Sequence, residues 1–286
     1  SYVGTAYTFG LGLQQAYEFW AWGQNDAGQL AQNNTTKYSS PVQIPGTTWV
    51  KGSRGRSGDS AIIGVRQKGQ LFVWGKYNTY GTLGQNNQTQ YSSPVQIPGS
   101  WFGAKSRSQF TMGVKTDGTL WSWGYNSSGQ LGQNSVVKYS SPVQIPGNTW
   151  AKGVLKFDVG NNDMAAIKTD GTLWGWGDGG GGVLNNGGYA HSYSRSSPVQ
   201  AGSDTTWRSV VCGSDARMAT KTDGTLWSWG VNNSGASMLN NNPDSTVRYI
   251  SPVQVGSGTD WSEKICFGSS SAAIKTDGTL WMAGEN

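Results

Sequence analysis

The residue types that carry most catalytic and metal chemistry are sparse in this sequence. Its 286 residues hold one histidine, His191, and two cysteines, Cys212 and Cys266. A zinc site gathers three or four His, Cys or carboxylate ligands, and no second His or Cys stands at a ligand spacing from any of these. No metal and no cofactor are expected. The glycine run Gly179–Gly182 lacks the Lys-Ser/Thr and the helix that a phosphate loop needs. No acidic calcium loop of the helix–loop–helix pattern is present. Of the 16 carboxylates, Asp117, Asp170, Asp223 and Asp277 recur in one context, Lys-Thr-Asp-Gly-Thr-Leu-Trp. Asp-Gly between two strand-like runs favours a type I′ hairpin turn, so these acids read as turn formers rather than acid/base pairs. The chain reads as non-enzymatic.

What remains is chemistry of contact. Tyr38, Tyr91, Tyr139 and Tyr249 each lie three residues before a proline, and Lys37, Lys138 and Arg248 precede three of them. Tyrosine and asparagine supply adaptable amphipathic contact, so this set is the candidate partner-binding rim, suited to a protein or a surface glycan. The competing reading is that each tyrosine covers the edge of its own sheet. Lys51, Arg54 and Arg56 form a second, smaller basic group. The net charge of +5 is modest for this length and lacks the clustered basic footprint of a nucleic-acid binder, so no specific nucleic acid is expected. No apolar run approaches the length of a membrane helix, so no membrane insertion is expected, and no signal peptide is visible. The chain starts at Ser1, as a processed chain or a part of a longer one would.

The elements that position these residues are strands. The run Lys115–Gly147 is the reference repeat: a strand, Asp117-Gly118, the strand Thr-Leu-Trp-Ser-Trp-Gly, a polar loop, and a strand opening Ser141-Pro142-Val143-Gln144. A proline suits an edge strand, because it cannot donate to a ladder. The glycine closing the central strand recurs at Gly23, Gly75, Gly124, Gly177, Gly230 and Gly284, spaced by 52, 49, 53, 53 and 54 residues. A period near 50 with several strands per unit marks a β-propeller blade array. The expected fold is an all-β propeller of six blades, seven being the alternative, in one domain over 1–286. Its units run approximately 1–46, 47–99, 100–147, 148–202, 203–257 and 258–286. The last lacks the Ser-Pro-Val-Gln strand, leaving one blade a strand short. A further unit, a three-stranded blade, or a strand from a neighbouring subunit would each account for that. Trp121/Trp123, Trp174/Trp176 and Trp227/Trp229 sit two apart, each pair on one face, and are expected in the core. Cys212 and Cys266 each follow a tryptophan by five residues, which places them at equivalent strand positions, read as small buried hydrophobes with a disulfide as the alternative.

The combination of a small-residue strand, Asp-Gly-Thr-Leu-Trp-Ser-Trp-Gly, Asn-x-x-Gly-Gln-Leu-Gly and Ser-Pro-Val resembles the repeats of the regulator of chromosome condensation family. The resemblance covers essentially the whole chain and implies a β-propeller, for which seven blades is typical and six landmarks are present. The founding member is a guanine-nucleotide exchange factor of a small nuclear GTPase that docks on chromatin; the inserted hairpin and basic tail for those tasks are not evident here. Other relatives look like binding scaffolds, among them a secreted β-lactamase inhibitor and proteins of bacteria and phages. The leading expectation is a non-enzymatic binding or structural propeller at an exposed surface, extracellular or on a virion, such as a phage decoration, fibre or receptor-binding protein, assembled in symmetric copies. The alternative is a regulator of a protein partner, an enzyme inhibitor or exchange factor, with a lectin-like carbohydrate binder as a variant.

Overall fold

A computed structural model of the chain describes residues 2–5, 9–14, 17–54, 61–75, 78–184, 194–231, 237–239, 248–268 and 270–284. His191 and Arg56 lie outside them. The fold is all-β, of the β-propeller class, and the described strands form six antiparallel sheets. By chain contacts the molecule divides into two compact units, Ser1–Asn126 with Val137–Asn148, and Ser127–Val136 with Thr149–Asn286.

The first unit carries three four-stranded sheets, each in simple sequential order. Sheet one is β1 (Tyr2–Thr5), β2 (Phe9–Gln14), β3 (Glu18–Gly23) and β4 (Tyr38–Gln43). Sheet two is β5 (Trp49–Arg54), β6 (Ile62–Arg66), β7 (Leu71–Gly75) and β8 (Tyr91–Ile97). Sheet three is β9 (Trp101–Arg107), β10 (Phe110–Lys115), β11 (Leu120–Gly124) and β12 (Tyr139–Gln144). Strand side chains alternate, so a sheet has two faces, and within this unit sheet two is covered by sheet one on one side and sheet three on the other. Phe19, Leu30 and Ile44 of the first repeat pack with Trp49, Ile62 and Trp74 of the second. Val65, Leu71, Leu83 and Ile97 of the second pack with Trp101 and Trp123 of the third.

The second unit repeats this plan. Sheet four is β13 (Phe157–Val159), β14 (Asp163–Ile167), β15 (Leu173–Gly177) and β16 (Arg195–Gln200). Sheet five is β17 (Trp207–Cys212), β18 (Ala216–Lys221), β19 (Leu226–Val231) and β20 (Arg248–Gln254). Sheet six has three strands, β21 (Trp261–Phe267), β22 (Ser270–Lys275) and β23 (Leu280–Gly284). Within β17 the alternation is plain: Val210 and Cys212 join the cluster with sheet four, while Val211 joins the cluster with sheet six. The Ser-Pro-Val-Gln strands are edge strands throughout, and Pro142 falls in the register shift between the Ser122–Val143 and Gly124–Tyr139 pairs, where the missing N–H costs no ladder bond.

Two expectations need correction. The Asp-Gly turns are not type I′. Among Asp117 and Gly118 only the glycine takes positive φ, at 86°. The Gly118 amide donates to Lys115 O and the Lys115 amide to Thr119 O, giving a three-residue connection that ends in a left-handed glycine. The aspartate stays at negative φ because its carboxylate accepts from the Thr119 amide at 2.9 Å and the Thr119 hydroxyl at 2.6 Å. Both positive dihedrals appear where the aspartate is absent, at Lys68 (66°) and Gly69 (75°). Second, the cysteines are not equivalent. β21 carries one more residue than β17 between its tryptophan and the regular ladder, so Cys266 pairs with Ala272 as Val211 pairs with Met218. Phe267 takes the place of Cys212. Cys212 is buried and Cys266 exposed, and no disulfide joins them.

No helix among the described residues is long and apolar enough to cross a membrane.

Candidate partner-binding surface

In an up-and-down sheet the link from first to second strand and the loop from third to fourth lie at one end. The central hairpin turn and the exit from the fourth strand lie at the other. The loop end carries most of the candidate rim.

Three of the loops there, those after β3, β7 and β11, are each organised by one buried asparagine, Asn25, Asn78 and Asn126. Asn78, fully buried, accepts from the Leu83 amide at 2.9 Å and donates to Asn87 O at 3.1 Å and Thr89 O at 2.7 Å. Asn25 makes the matching bonds to the Leu30 amide (2.8 Å), Asn34 O (3.0 Å) and Thr36 O (2.9 Å). Such a side chain replaces the ladder that an irregular segment lacks, which fixes the loop. A second asparagine sits left-handed, at Asn33 (φ 56°) and Asn86 (φ 56°), a conformation this residue type tolerates. Its amide donates to the fourth strand of the next sheet, Asn33 to Ser92 O at 2.9 Å and Asn86 to Ser140 O at 2.8 Å. The loop also accepts an indole N–H from that sheet: Trp74 to Gln29 O at 3.0 Å and Trp123 to Thr82 O at 2.8 Å. In the second unit Asn134 bonds Ser196 O at 2.7 Å, and Trp176 and Trp229 bond Gln130 O and Val183 O at 2.9 Å. Gly81 must be glycine, since a Cβ there would lie 2.3 Å from Ser140 Cα at φ +76°.

The tyrosines of the rim open their edge strands and are half-buried. The Tyr38 and Tyr91 hydroxyls accept from Asn34 and Asn87 side-chain amides at 3.2 and 3.0 Å. Their rings pack on the clusters between sheets, as does Tyr249. Tyr139 is half-buried at the start of β12. Lys37 is exposed and pairs with Asp26 at 3.2 Å; Arg248 is exposed at the start of β20. Lys138 is different. Its ammonium stands 4.2 Å from the Tyr80 ring centroid and 5.0 Å from that of Tyr125, two rings themselves 4.7 Å apart. Beside it Val137 is 57% exposed. Tyr80 and Tyr125 have no counterpart in the first repeat, where Ala27 and Gln24 stand, so spacing by repeat passes over them. Lys51 and Arg54 lie on β5, opposite Val65 and Ile62.

The turn end holds a second recurrent group, outside the candidate rim. Lys115, Lys168 and Lys221 each stand over the outer tryptophan of their sheet, 3.7 Å from Trp121, 3.7 Å from Trp174 and 3.9 Å from Trp227. Arg66 takes the same place against Trp49 and Phe72 at 4.4 and 4.3 Å. Below each of these three lysines a relay runs from indole N–H to threonine hydroxyl to carboxylate, as in Trp121 to Thr119 at 2.8 Å and on to Asp117. Hydrogen bonds from the Thr119 hydroxyl and amide hold the Asp117 carboxyl below the usual carboxylate range, and Asp170 and Asp223 follow suit. Asp204 faces opposing effects. Partial burial pushes it up, but hydrogen bonds from Lys221 and Thr206 prevail and hold it at about 2. The shared Lys-Thr-Asp-Gly-Thr-Leu-Trp string is the signal for the lysine, aspartate, threonine and tryptophan of each relay, while Arg66 and Asp204 lie outside it. Among the described residues, no three His, Cys, Asp or Glu side chains gather as a metal site would require.

Comparison with known proteins agrees with this anatomy. The model of the regulator of chromosome condensation (RCC1) repeat matches residues 18–56, 68–105 and 117–166. The mitochondrial RCC1 domain-containing protein RUG3 of Arabidopsis thaliana is 26% identical over 97% of this chain and 63% of its own length. The ultraviolet-B receptor UVR8 of the same plant is 26% identical over 85% of this chain and 54% of its own. The human E3 ubiquitin-protein ligase HERC2 is 26% identical over 79% of this chain but 5% of its own. The chain thus spans less than two thirds of these relatives. Human WBSCR16 superposes with a TM-score of 0.80 at 19% identity, covering all of this chain and 77% of that one. Yeast RCC1 (Prp20), solved bound to Kap60, gives 0.78 at 18% identity, covering 98% and 68%. Repeat sequence and sheet architecture coincide: the chain carries RCC1-type repeats within residues 18–166 on a β-propeller fold.

Proposed function

We propose that the chain is a non-enzymatic propeller whose task is to bind a protein partner through the loop ends of its sheets. The observation that carries this reading is the build of those loops. Three of them are pinned by a buried asparagine and seated on the next sheet, so their exposed tips are presented by a preorganised scaffold, which lowers the ordering cost of binding. The Tyr80–Tyr125–Lys138 group with Val137 offers an aromatic, cationic and aliphatic anchor of the kind that dominates protein interfaces. Yeast RCC1 in complex with Kap60, and the described binding of Prp20p to Gsp1p and histones, give protein-binding precedents on this fold. The finer reading we propose is an extracellular or particle-surface component, as on a phage virion, supported by the low charge and the Asn, Gln, Ser and Gly content.

The test is affinity capture with the wild-type chain and with a Tyr80→Ala/Lys138→Glu variant, each recovered protein then rebound in purified form. Direct binding that weakens at least about tenfold in the variant is expected, the usual scale for loss of an interface anchor. Failure of every purified candidate to bind would overturn the reading. Faster nucleotide release from a small GTPase would replace it with the exchange-factor alternative. Light scattering tests the particle-surface reading, which requires a symmetric multimer.

A further inference from the structure

The turn end repeats one lysine in two kinds of company. Lys115, Lys168, Lys221 and Lys275 hold the same place in their sheets, each ammonium beside the two tryptophans of its own repeat. In sheets five and six the connection entering the sheet brings that ammonium a carboxylate. Lys221 pairs with Asp204, and Lys275 with Asp260 at 3.0 Å. Asp204 is held for the task. Its Oδ1 accepts from the Thr206 amide at 2.9 Å and the Thr206 hydroxyl at 2.6 Å, which leaves Oδ2 to the lysine. In sheets three and four the connection is shorter and carries no acid. It reads Pro98-Gly99-Ser100-Trp101 and Pro146-Gly147-Asn148-Thr149-Trp150, against Gly202-Ser203-Asp204-Thr205-Thr206-Trp207 and Gly256-Ser257-Gly258-Thr259-Asp260-Trp261. The ion pairs of the described residues include none to Lys115 or Lys168. Both ammoniums are nonetheless positioned. Lys115 stands 3.7 Å from the Trp121 ring centroid and 5.2 Å from that of Trp101, and Lys168 stands 3.7 and 5.2 Å from Trp174 and Trp150. The connections beside them, Gly99-Ser100 and Gly147–Thr149, are exposed.

We infer that Lys115 and Lys168 each receive a carboxylate side chain from an acidic segment of a protein partner, which takes on these lysines the place that Asp204 takes on Lys221. Their own turn aspartates do not serve in that role. Asp117 and Asp170 commit Oδ1 to the Thr119 and Thr172 hydroxyls, each at 2.6 Å. Sheet five shows that such an aspartate tolerates a second acid. Partial burial pushes Asp204 up, yet hydrogen bonds from Lys221 and Thr206 hold it at about 2 with the turn aspartate Asp223 nearby. A free surface lysine gains little from an ion pair, because ordering its long stem offsets the attraction. A lysine already set against two indoles has met that cost. A single ammonium matches the single charge of a carboxylate, whereas phosphate recognition favours bidentate arginine. The net charge of +5 adds a long-range bias toward acidic partners. The turn ends are distinct from the loop ends, so this binding and the loop-end binding can fail separately.

The probe is a hexaglutamate peptide, titrated against the isotope-labelled intact chain by NMR at low ionic strength. The indole N–H resonances are the readout. Trp121 and Trp174 donate to Thr119 and Thr172 at 2.8 Å, and Trp227 to Thr225 at 2.7 Å, so each resonance reports the lysine above its own ring. Saturable shifts are expected at Trp121 and Trp174 and none at Trp227, whose lysine is held by Asp204. Lys168→Gln should abolish the Trp174 response and keep that of Trp121. Asp204→Ala should release Lys221 and bring in a Trp227 response. Unshifted resonances of the other indoles show that both variants remain folded. Raising ionic strength from about 20 to about 300 mM should weaken binding at least about fivefold, since exposed charges are screened. No shift at Trp121 and Trp174, or an equal shift at Trp227 in the wild type, overturns the inference. So does an equal response to a thymidine hexanucleotide, which would make these lysines general contacts for polyanions.

Discussion

Sheets five and six share seven consecutive residues, Lys-Thr-Asp-Gly-Thr-Leu-Trp, at 221–227 and 275–281. Their local structures agree. The Thr225 amide bonds Asp223 at 3.0 Å and the Thr279 amide bonds Asp277 at 2.9 Å, and Gly224 and Gly278 take φ of 81° and 89°. Their burial does not agree. Leu226 is fully buried, while Leu280 is 59% exposed. Identical sequence thus yields an identical hairpin but not an identical environment. The hairpin is decided by bonds within five residues. The burial is decided by what packs beside it: Val255, Trp261 and Ile265 for Leu226, and no comparable described cluster for Leu280.

The largest test of that contrast is truncation at the paired leucines. Leu226→Ala should cost about 2–5 kcal/mol, because the site is sealed and a cavity remains. Leu280→Ala should stay within about 0.5 kcal/mol, as exposed substitutions do. Equilibrium urea denaturation of both variants measures it. Equal losses at the two sites would show that Leu280 is covered in solution.

The paired glycines sharpen the same point at a smaller scale. Both sit left-handed, so alanine at either costs about 1 kcal/mol of backbone strain. At Gly224 the added Cβ would also lie 2.0 Å from Thr259 O, in the linker that leads into sheet six. At Gly278 nothing lies within 4 Å. Gly224→Ala should therefore destabilise clearly more than Gly278→Ala, read as the difference in thermal midpoint. A matched pair of midpoints would place the linker elsewhere.

What the sequence made legible follows the same division. The strands, the central hairpins, the edge position of Ser-Pro-Val-Gln and the missing fourth strand of the last repeat all rest on local pattern, and they appear in the structure as expected. The turn type was misread because Asp-Gly serves two geometries. The choice falls to a side-chain bond, Asp117 to Thr119, that a dipeptide rule does not contain. The cysteines were misaligned because counting from a tryptophan ignores a bulge. The Lys138–Tyr80–Tyr125 stack joins residues up to 58 apart and departs from the repeat, so periodicity steps over it.

A smaller effect is expected from acid. Asp204 belongs to the connection entering sheet five, where it meets Lys221, and its carboxyl titrates at about 2 rather than near 3.8. A carboxyl whose folded value is depressed stabilises the fold above its unfolded value, and that contribution fades as pH falls toward the folded one. Stability should therefore drop between about pH 4 and pH 2 in the wild type by more than in Asp204→Asn, with the two curves running parallel above pH 5. Denaturation midpoints across that range provide the check. Parallel curves throughout would mean that the Lys221 contact is not populated.

The smallest effect on stability, and the most direct view of the two surfaces, comes from the thiols. Cys212 lies inside sheet five, its amide bonded to Asp158 at 2.8 Å, whereas Cys266 is exposed on sheet six, in the row of Ala272 and Met282. An aromatic disulfide reagent should titrate one thiol in the native protein and two after denaturation, because a thiolate must be reached before it can react. Cys266→Ser should abolish the native reaction while moving stability by no more than about 0.5 kcal/mol, the range of exposed substitutions.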